Sequence, residues 1–175
     1  MPRIPYITDE QAGPPELVAS IRARRGGRLA ELDRLLLYSP PFATGWGLMM
    51  GRVRTELALS PLLRELAMLG VAVVNTAEYE FHHHSAPFLA AGGTQAQLDA
   101  LRHLPAIDAD LFNATERAAL QLTVEMTRDV KVSDLSFAVA RRALGNDQHL
   151  VELIGVIASY NMVSRFLVAL ELTPD

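Results

Sequence analysis

Three consecutive imidazoles follow two carboxylates in the run Glu78-Tyr79-Glu80-Phe81-His82-His83-His84-Ser85-Ala86, in a chain of 175 residues that contains no cysteine. Three of the five histidines are therefore adjacent. A packed protein has no structural need for such a run, and it concentrates the side chains that exchange protons near neutral pH. On a helix, Glu80 and His84 stand one turn apart on a shared face, about 6 Å from each other. A carboxylate so placed fixes the tautomer of the imidazole and raises its basicity, which makes His84 a general acid or base with Glu80 as its orienting partner. Glu78 and His82 repeat the spacing on another face, so only one pair can line a given pocket. Phe81, Phe88 and Ala91 would give the Glu80/His84 pair apolar surroundings, and that pair is preferred.

Glu65, preceded by Arg64, is the second carboxylate of interest. It lies fifteen residues before Glu80, about 22 Å away along an unbroken helix, too far to cooperate. If the chain turns at Asn75-Thr76, Glu65 folds back to the same pocket; if it does not, Glu65 pairs with Arg64 or another base at the surface. A metal reading is weaker. Glu and His at i and i+4 supply two ligands, but a catalytic zinc site takes three protein ligands, His-Glu-x-x-His is absent, and neighbouring histidines point about 100° apart. No metal and no cofactor are expected. The bland alternative places the histidine run in solvent or at a subunit interface.

The elements that must position these residues read as helices. Half of the residues are hydrophobic and 6% aromatic, a balance suited to packed helices. The length suits one domain with a sizeable core. Residues 1–15 carry Pro2, Pro5, Pro14 and Pro15 and read as an extended arm, with a single helical domain over 16–175. Pro14-Pro15 opens a helix to about Arg25 that stops at Gly26-Gly27. A second runs from about Arg28 to Tyr38, and a third from Ala43 to Glu56, whose Gly45, Gly47 and Gly51 suggest close helix packing. Ser60-Pro61 starts the next. Asn75, with Glu78 in the capping-box position, predicts a break and a new helix over 77–91, kinked at Pro87 and ended by Gly92-Gly93. Thr94 and Asn113 cap helices to His103 and to about Arg128. Ser133 to Leu144 and Asp147 to Leu170 complete an all-α reading.

A formal charge of −4 argues against nucleic acid, because phosphate contacts need clustered Lys and Arg. Arg22, Arg24, Arg25 and Arg28 form the one dense basic stretch and read as a solvated helix end, with an anion site as the alternative. No stretch approaches the run of roughly 20 apolar residues that a membrane span needs, and the first residues lack the layout of a signal peptide. The expectation is a cytoplasmic protein with a small-molecule substrate and no membrane partner.

Arg64-Glu65, Glu80-Phe81-His82-His83-His84 and Ala90-Ala91-Gly92 together resemble the carboxymuconolactone decarboxylase family, which includes the alkyl hydroperoxidase D (AhpD) proteins. The likeness extends to the N-terminal Pro-Arg-Ile-Pro-Tyr, to Gly26 to Leu29 with Ser39-Pro40, and to Tyr160-Asn161-x-x-x-Arg165. It implies an AhpD-like multi-helix bundle with a central helical hairpin, assembled as a homo-oligomer, a trimer or hexamer. The hydroperoxidase branch uses Cys-x-x-Cys followed four residues later by histidine, with an earlier glutamate. In that register the histidine is His84, the cysteine positions are Ala77 and Glu80, and the glutamate is Glu65. Thiolate attack on a peroxide followed by disulfide formation is closed to Ala77 and Glu80. The decarboxylase branch needs no thiol. The resemblance therefore implies a lyase role of the kind used in aromatic degradation: cofactor-free acid/base catalysis on a small organic acid or lactone. Glu65, Glu80 and His84 are its catalytic candidates; Arg64, Phe81, His82 and His83 are candidates for substrate contact, with Arg52 and Arg54 as further cations. The alternatives are a peroxidase-related antioxidant protein, disfavoured by the absent cysteines, and a non-catalytic oligomeric protein that binds a small molecule.

Overall fold

The computed structural model describes residues 2–106 and 108–174, and among them the regular structure is helical, with no strand. The chain forms two compact units, one of residues 1–56 with 169–173 and one of residues 57–168 with 174–175.

In the first unit, residues 2–14 run without helix to α1 (Pro15–Arg24), α2 (Glu31–Leu36) and α3 (Pro40–Thr55). Prolines open α1 and α3, where the first N–H groups of a helix have no partner to lose. The extended segment is strapped down by polar contacts. Tyr38 donates to the Pro5 carbonyl at 2.9 Å and Arg34 to the Ile7 carbonyl at 2.9 Å, while Asp9 pairs with both Arg22 and Arg34 at 2.7 Å. The basic stretch also ties α1 to α2. Arg25 and, more distantly, Arg24 face the buried carboxylate of Asp33, at 3.0 and 3.9 Å. Gly45 and Gly51 of α3 do not act as close-packing points, since a methyl at either would meet nothing within 4 Å, whereas one at Gly47 would touch the Arg24 guanidinium of α1 at 3.4 Å.

The second unit holds α4 (Pro61–Val74), α5 (Glu78–Ala90), α6 (Gln95–Leu101), a single 3-10 turn at Ala109–Leu111, α7 (Ala114–Arg128), α8 (Asp134–Leu144) and all but the last residue of α9 (Asp147–Ala169). Ser60, Thr94, Asn113 and Ser133 cap their helices, each accepting from the backbone N–H three residues on. Leu66, Leu69, Ala72, Ala77, Phe81, Phe88, Leu101 and Phe112 belong to one buried apolar cluster. It draws α4 and α5 together as an antiparallel hairpin.

The break between α4 and α5 falls where expected, by a different device. Asn75 is the C-cap of α4 and does not cap α5, whose N-cap is Ala77 without a side-chain bond. Thr76 takes the left-handed conformation (φ 54°), the Ala77 N–H returns to the Ala72 carbonyl at 2.8 Å, and the Thr76 N–H to Val73 at 3.1 Å. This is a Schellman closure made without glycine. The Asn75 side chain is thereby free to donate to Asn161 at 3.1 Å and Ser164 at 2.6 Å.

The expectation that no segment could span a membrane needs correction. By length and composition α9 qualifies, with a mean hydropathy of 1.4 over its most apolar window; Glu152, Asn161 and Arg165 interrupt the apolar run that the sequence reading sought. Leu153, Val156, Ile157, Tyr160 and Val163 on this helix are nevertheless fully enclosed by the protein, the pattern of a packed core helix.

Candidate functional site

The hairpin turn reverses the chain so that Glu65 on α4 lies beside His84 on α5, and the two hydrogen-bond between Oε2 and Nδ1 at 2.7 Å. At the other ring nitrogen, Nε2, Glu80 Oε2 approaches to 3.2 Å as an ion-pair contact and the Tyr160 hydroxyl stands at 3.1 Å. Three helices thus meet on one imidazole. Tyr160, from α9, also packs its ring edge-on to that of His84, with centroids 5.0 Å apart and planes at 83°.

The group is enclosed: Glu80 is 2% exposed, His84 8% and Tyr160 not at all, and only the Glu65 side chain, at 16%, has appreciable contact with solvent. Burial by itself pushes the pKa of His84 down. Its interactions with Glu65 and then Glu80 outweigh that, and carry it up from 6.5 to about 9. The imidazole is therefore an imidazolium at neutral pH, with Nδ1–H donating to Glu65.

Glu65, Glu80 and His84 are brought together, and their arrangement differs from the one the sequence suggested. The well-formed hydrogen bond to His84 comes from Glu65, fifteen residues outside the local i,i+4 pattern, while Glu80 faces the opposite nitrogen. The ring separates the two carboxylates, so the three side chains do not face one common point, and no group of three or more His, Asp or Glu among the described residues is arranged for a metal ion.

The expected substrate contacts do not join this cluster. His82 and His83 are exposed on α5, the latter tilted against the Tyr79 ring with centroids 4.2 Å apart, because successive helical residues turn about 100° from His84. Phe81 is buried in the apolar cluster, its ring covered by the Arg102 guanidinium at 3.9 Å. Arg64 is half-buried and donates to the Leu57 carbonyl at 3.1 Å. Arg52 and Arg54 belong to the first unit. Two cavities, of about 190 and 230 Å³, are lined by Leu17, Ile21, Arg24 and Thr44 in one case and by Leu104, Arg117, Leu120 and Gln121 in the other. Neither is lined by Glu65, Glu80 or His84.

Tyr160 is the member of the group that the site reading missed. It lies 76 residues beyond His84, and its one sequence signal was the late Tyr-Asn-x-x-x-Arg. The neighbouring Asn161 supplies the anchorage: it accepts from Asn75 at the end of α4 and from Arg165, and donates to Thr127 on α7 at 3.0 Å.

Residues 40–125 match the carboxymuconolactone decarboxylase family. No curated protein sequence matches the chain. Among solved structures it is similar to an uncharacterized peroxidase-related protein from Silicibacter sp. TM1040, with 19% identity, 99% of this chain and 94% of that one covered, and a TM-score of 0.78. It is similar also to an AhpD-core, peroxidase-related protein from Ralstonia eutropha JMP134, at 14% identity over 99% and 92% of the two chains, with a TM-score of 0.82. A third is a cysteine-to-alanine variant of the debrominase Bmp8 in complex with 2,3,4-tribromopyrrole, at 17% identity over 97% and 89%, with a TM-score of 0.78. At these identities the likeness establishes the fold.

Proposed function

Because this chain belongs to the carboxymuconolactone decarboxylase/AhpD-like family, we propose that it is a cytoplasmic, homo-oligomeric enzyme that carries out cofactor-free proton transfer on a small organic acid or lactone. The observation that supports this reading most is the buried imidazole of His84, bonded to Glu65 at one nitrogen and faced by Glu80 at the other. Its elevated pKa gives it a direction: at neutral pH His84 is an acid with a proton to give. In decarboxylation of an unsaturated lactone acid, the bond to the carboxyl carbon breaks, carbon dioxide leaves, and the electron pair passes into the lactone carbonyl as a dienolate. The imidazolium stabilises that charge, then delivers a proton to carbon and becomes neutral imidazole, which regains its proton from water. Glu65 holds the ring through Nδ1, and Arg64, the proposed cation for the substrate carboxylate, would leave the Leu57 carbonyl to reach it.

The test is carbon dioxide release or isomerisation by the purified full-length chain on a panel of carboxylated lactones and unsaturated acids. His84→Ala is expected to lower turnover by about a hundredfold or more, the scale of a lost general acid, with Glu65→Gln and Glu80→Gln also impaired while all three still unfold cooperatively. Turnover unchanged in His84→Ala removes the site assignment, and a wild-type chain that binds members of the panel without converting them is a binding protein.

A second reading is favoured by the peroxidase-related names of two structures of this fold. With no sulfur nucleophile in the chain, the dithiol cycle has no residue to run on. Peroxide consumption supported by a thiol reductant would favour that reading over acid/base chemistry.

A further inference from the structure

The basic stretch of α1 ends in a cation that its neighbours do not neutralise. Arg22 is paired with Asp9, and Arg25 holds the buried carboxylate of Asp33 at 3.0 Å, where the Ala30 N–H also donates. Arg24 stands 3.9 Å from the same carboxylate, beyond hydrogen-bond length. Partial burial, and then the charges of Arg25 and Arg54, hold its pKa below the ordinary value, and Asp33 offsets only part of that repulsion. Basic side chains in the last turn of a helix ordinarily serve that helix's own carbonyls. Arg24 instead reaches across to α3, where it donates to the Gly47 carbonyl at 3.2 Å.

That contact sets the guanidinium in the wall of the cavity of about 190 Å³ between α1 and α3, beside the apolar side chains of Leu17, Ile21 and Leu48 and the hydroxyls of Ser20 and Thr44. The space holds about six waters, or one small organic molecule. We infer that this groove is a binding site for a small organic monocarboxylate, with its carboxylate on Arg24 and its apolar body along Leu17, Ile21 and Leu48. Among the described residues the bond to Gly47 leaves most of the guanidinium N–H groups for a ligand, and their planar fork matches a carboxylate. A single cation in an otherwise apolar wall selects a single negative charge on an apolar body. The site lies within the first unit and uses none of Glu65, Glu80 and His84. It does not depend on the acid/base reading.

The experiment is an NMR titration of the full-length, isotope-labelled chain with benzoate, set against benzamide as the neutral isostere and acetate as the carboxylate without an apolar body. Benzoate is expected to bind saturably, shifting the amides of Ser20 and Gly47 and the guanidinium signals of Arg24, in His84→Gln as in wild type. Benzamide and acetate are each expected to bind at least about tenfold more weakly, because one lacks the charge-assisted bond and the other the buried apolar surface. Arg24→Gln is expected to bring benzoate down to the level of benzamide. Ser20→Phe, which fills the groove and leaves Arg24 in place, is expected to abolish binding of both. Should Arg24→Gln fail to fold, the comparison of benzoate with benzamide on wild type, together with Ser20→Phe, decides. Equal affinity for benzoate and either of the other two ligands, or full binding in Ser20→Phe, overturns the inference. Benzoate shifts centred on His84 and absent from Ser20 and Gly47 overturn it as well, and leave the proposed chemistry standing.

Discussion

His84 carries its proton because two carboxylates outweigh the cost of its burial, and that balance makes it a contributor to folding as well as a candidate acid. Its pKa in the folded chain, about 9, lies above the ordinary 6.5, so the folded state holds the proton more tightly than the unfolded one. The stabilisation is complete below pH 6.5 and is lost as the pH rises through 9, amounting to about 3 kcal/mol for a group this enclosed. Thermal unfolding of wild type is therefore expected to show a falling midpoint between those limits, and the same scan of His84→Gln to show no such fall. Equal pH dependence in the two proteins would mean that the cluster is not held as an imidazolium. At this scale the sequence was informative for His84 and Glu80, whose spacing is local. It was silent on which carboxylate takes which nitrogen.

At the scale of elements, the site depends on the α4/α5 hairpin, and the hairpin depends on how its two helices end. The end of α5 is made by Gly92, in the left-handed region (φ 103°), with Gly93 returning its N–H to the Phe88 carbonyl at 3.0 Å. A side chain at Gly93 has nowhere to go: a methyl there would lie 2.3 Å from the ring of Phe88, which is itself fully buried. Gly93→Ala is expected to cost about 1–3 kcal/mol, measured by urea unfolding, whereas alanine at Gly45, where the space is open, is expected to stabilise α3 or leave it unchanged. Equal tolerance at the two positions would show that the Phe88 contact is relaxed in solution. The stop at Gly92-Gly93 was legible because glycine is the usual solution to a left-handed C-cap. The role of Asn75 was misread for a matching reason. Its type suits a cap, and only the packed structure shows Thr76 closing α4 while the Asn75 side chain reaches to α9.

For the whole molecule, α9 is the element whose two faces ask different questions. One face is buried at Leu153, Val156, Tyr160 and Val163; the other leaves Val151 67% and Val168 43% exposed, with Gly155 and Ala158 open between them. That face is apolar apart from the exposed Arg165 near its end, and an exposed apolar stripe of this kind marks an interaction surface. The proposed homo-oligomer covers it with a second copy of α9, and wild type is expected to sediment as a trimer or hexamer, with Val151→Glu shifting it to smaller species. A monomeric wild type would remove the oligomer from the proposal. The sequence by itself determined the all-helical class, most helix starts, the exclusion of thiol chemistry and the identity of His84, because caps, periodicity and residue chemistry are local properties. Tertiary structure alone decided that Glu65 makes the short bond, that His82 and His83 turn to solvent, that Phe81 belongs to the core, and that Tyr160 completes the group. Those contacts join residues far apart in the chain, and their geometry follows from how α4, α5 and α9 pack, which no spacing within a single helix records.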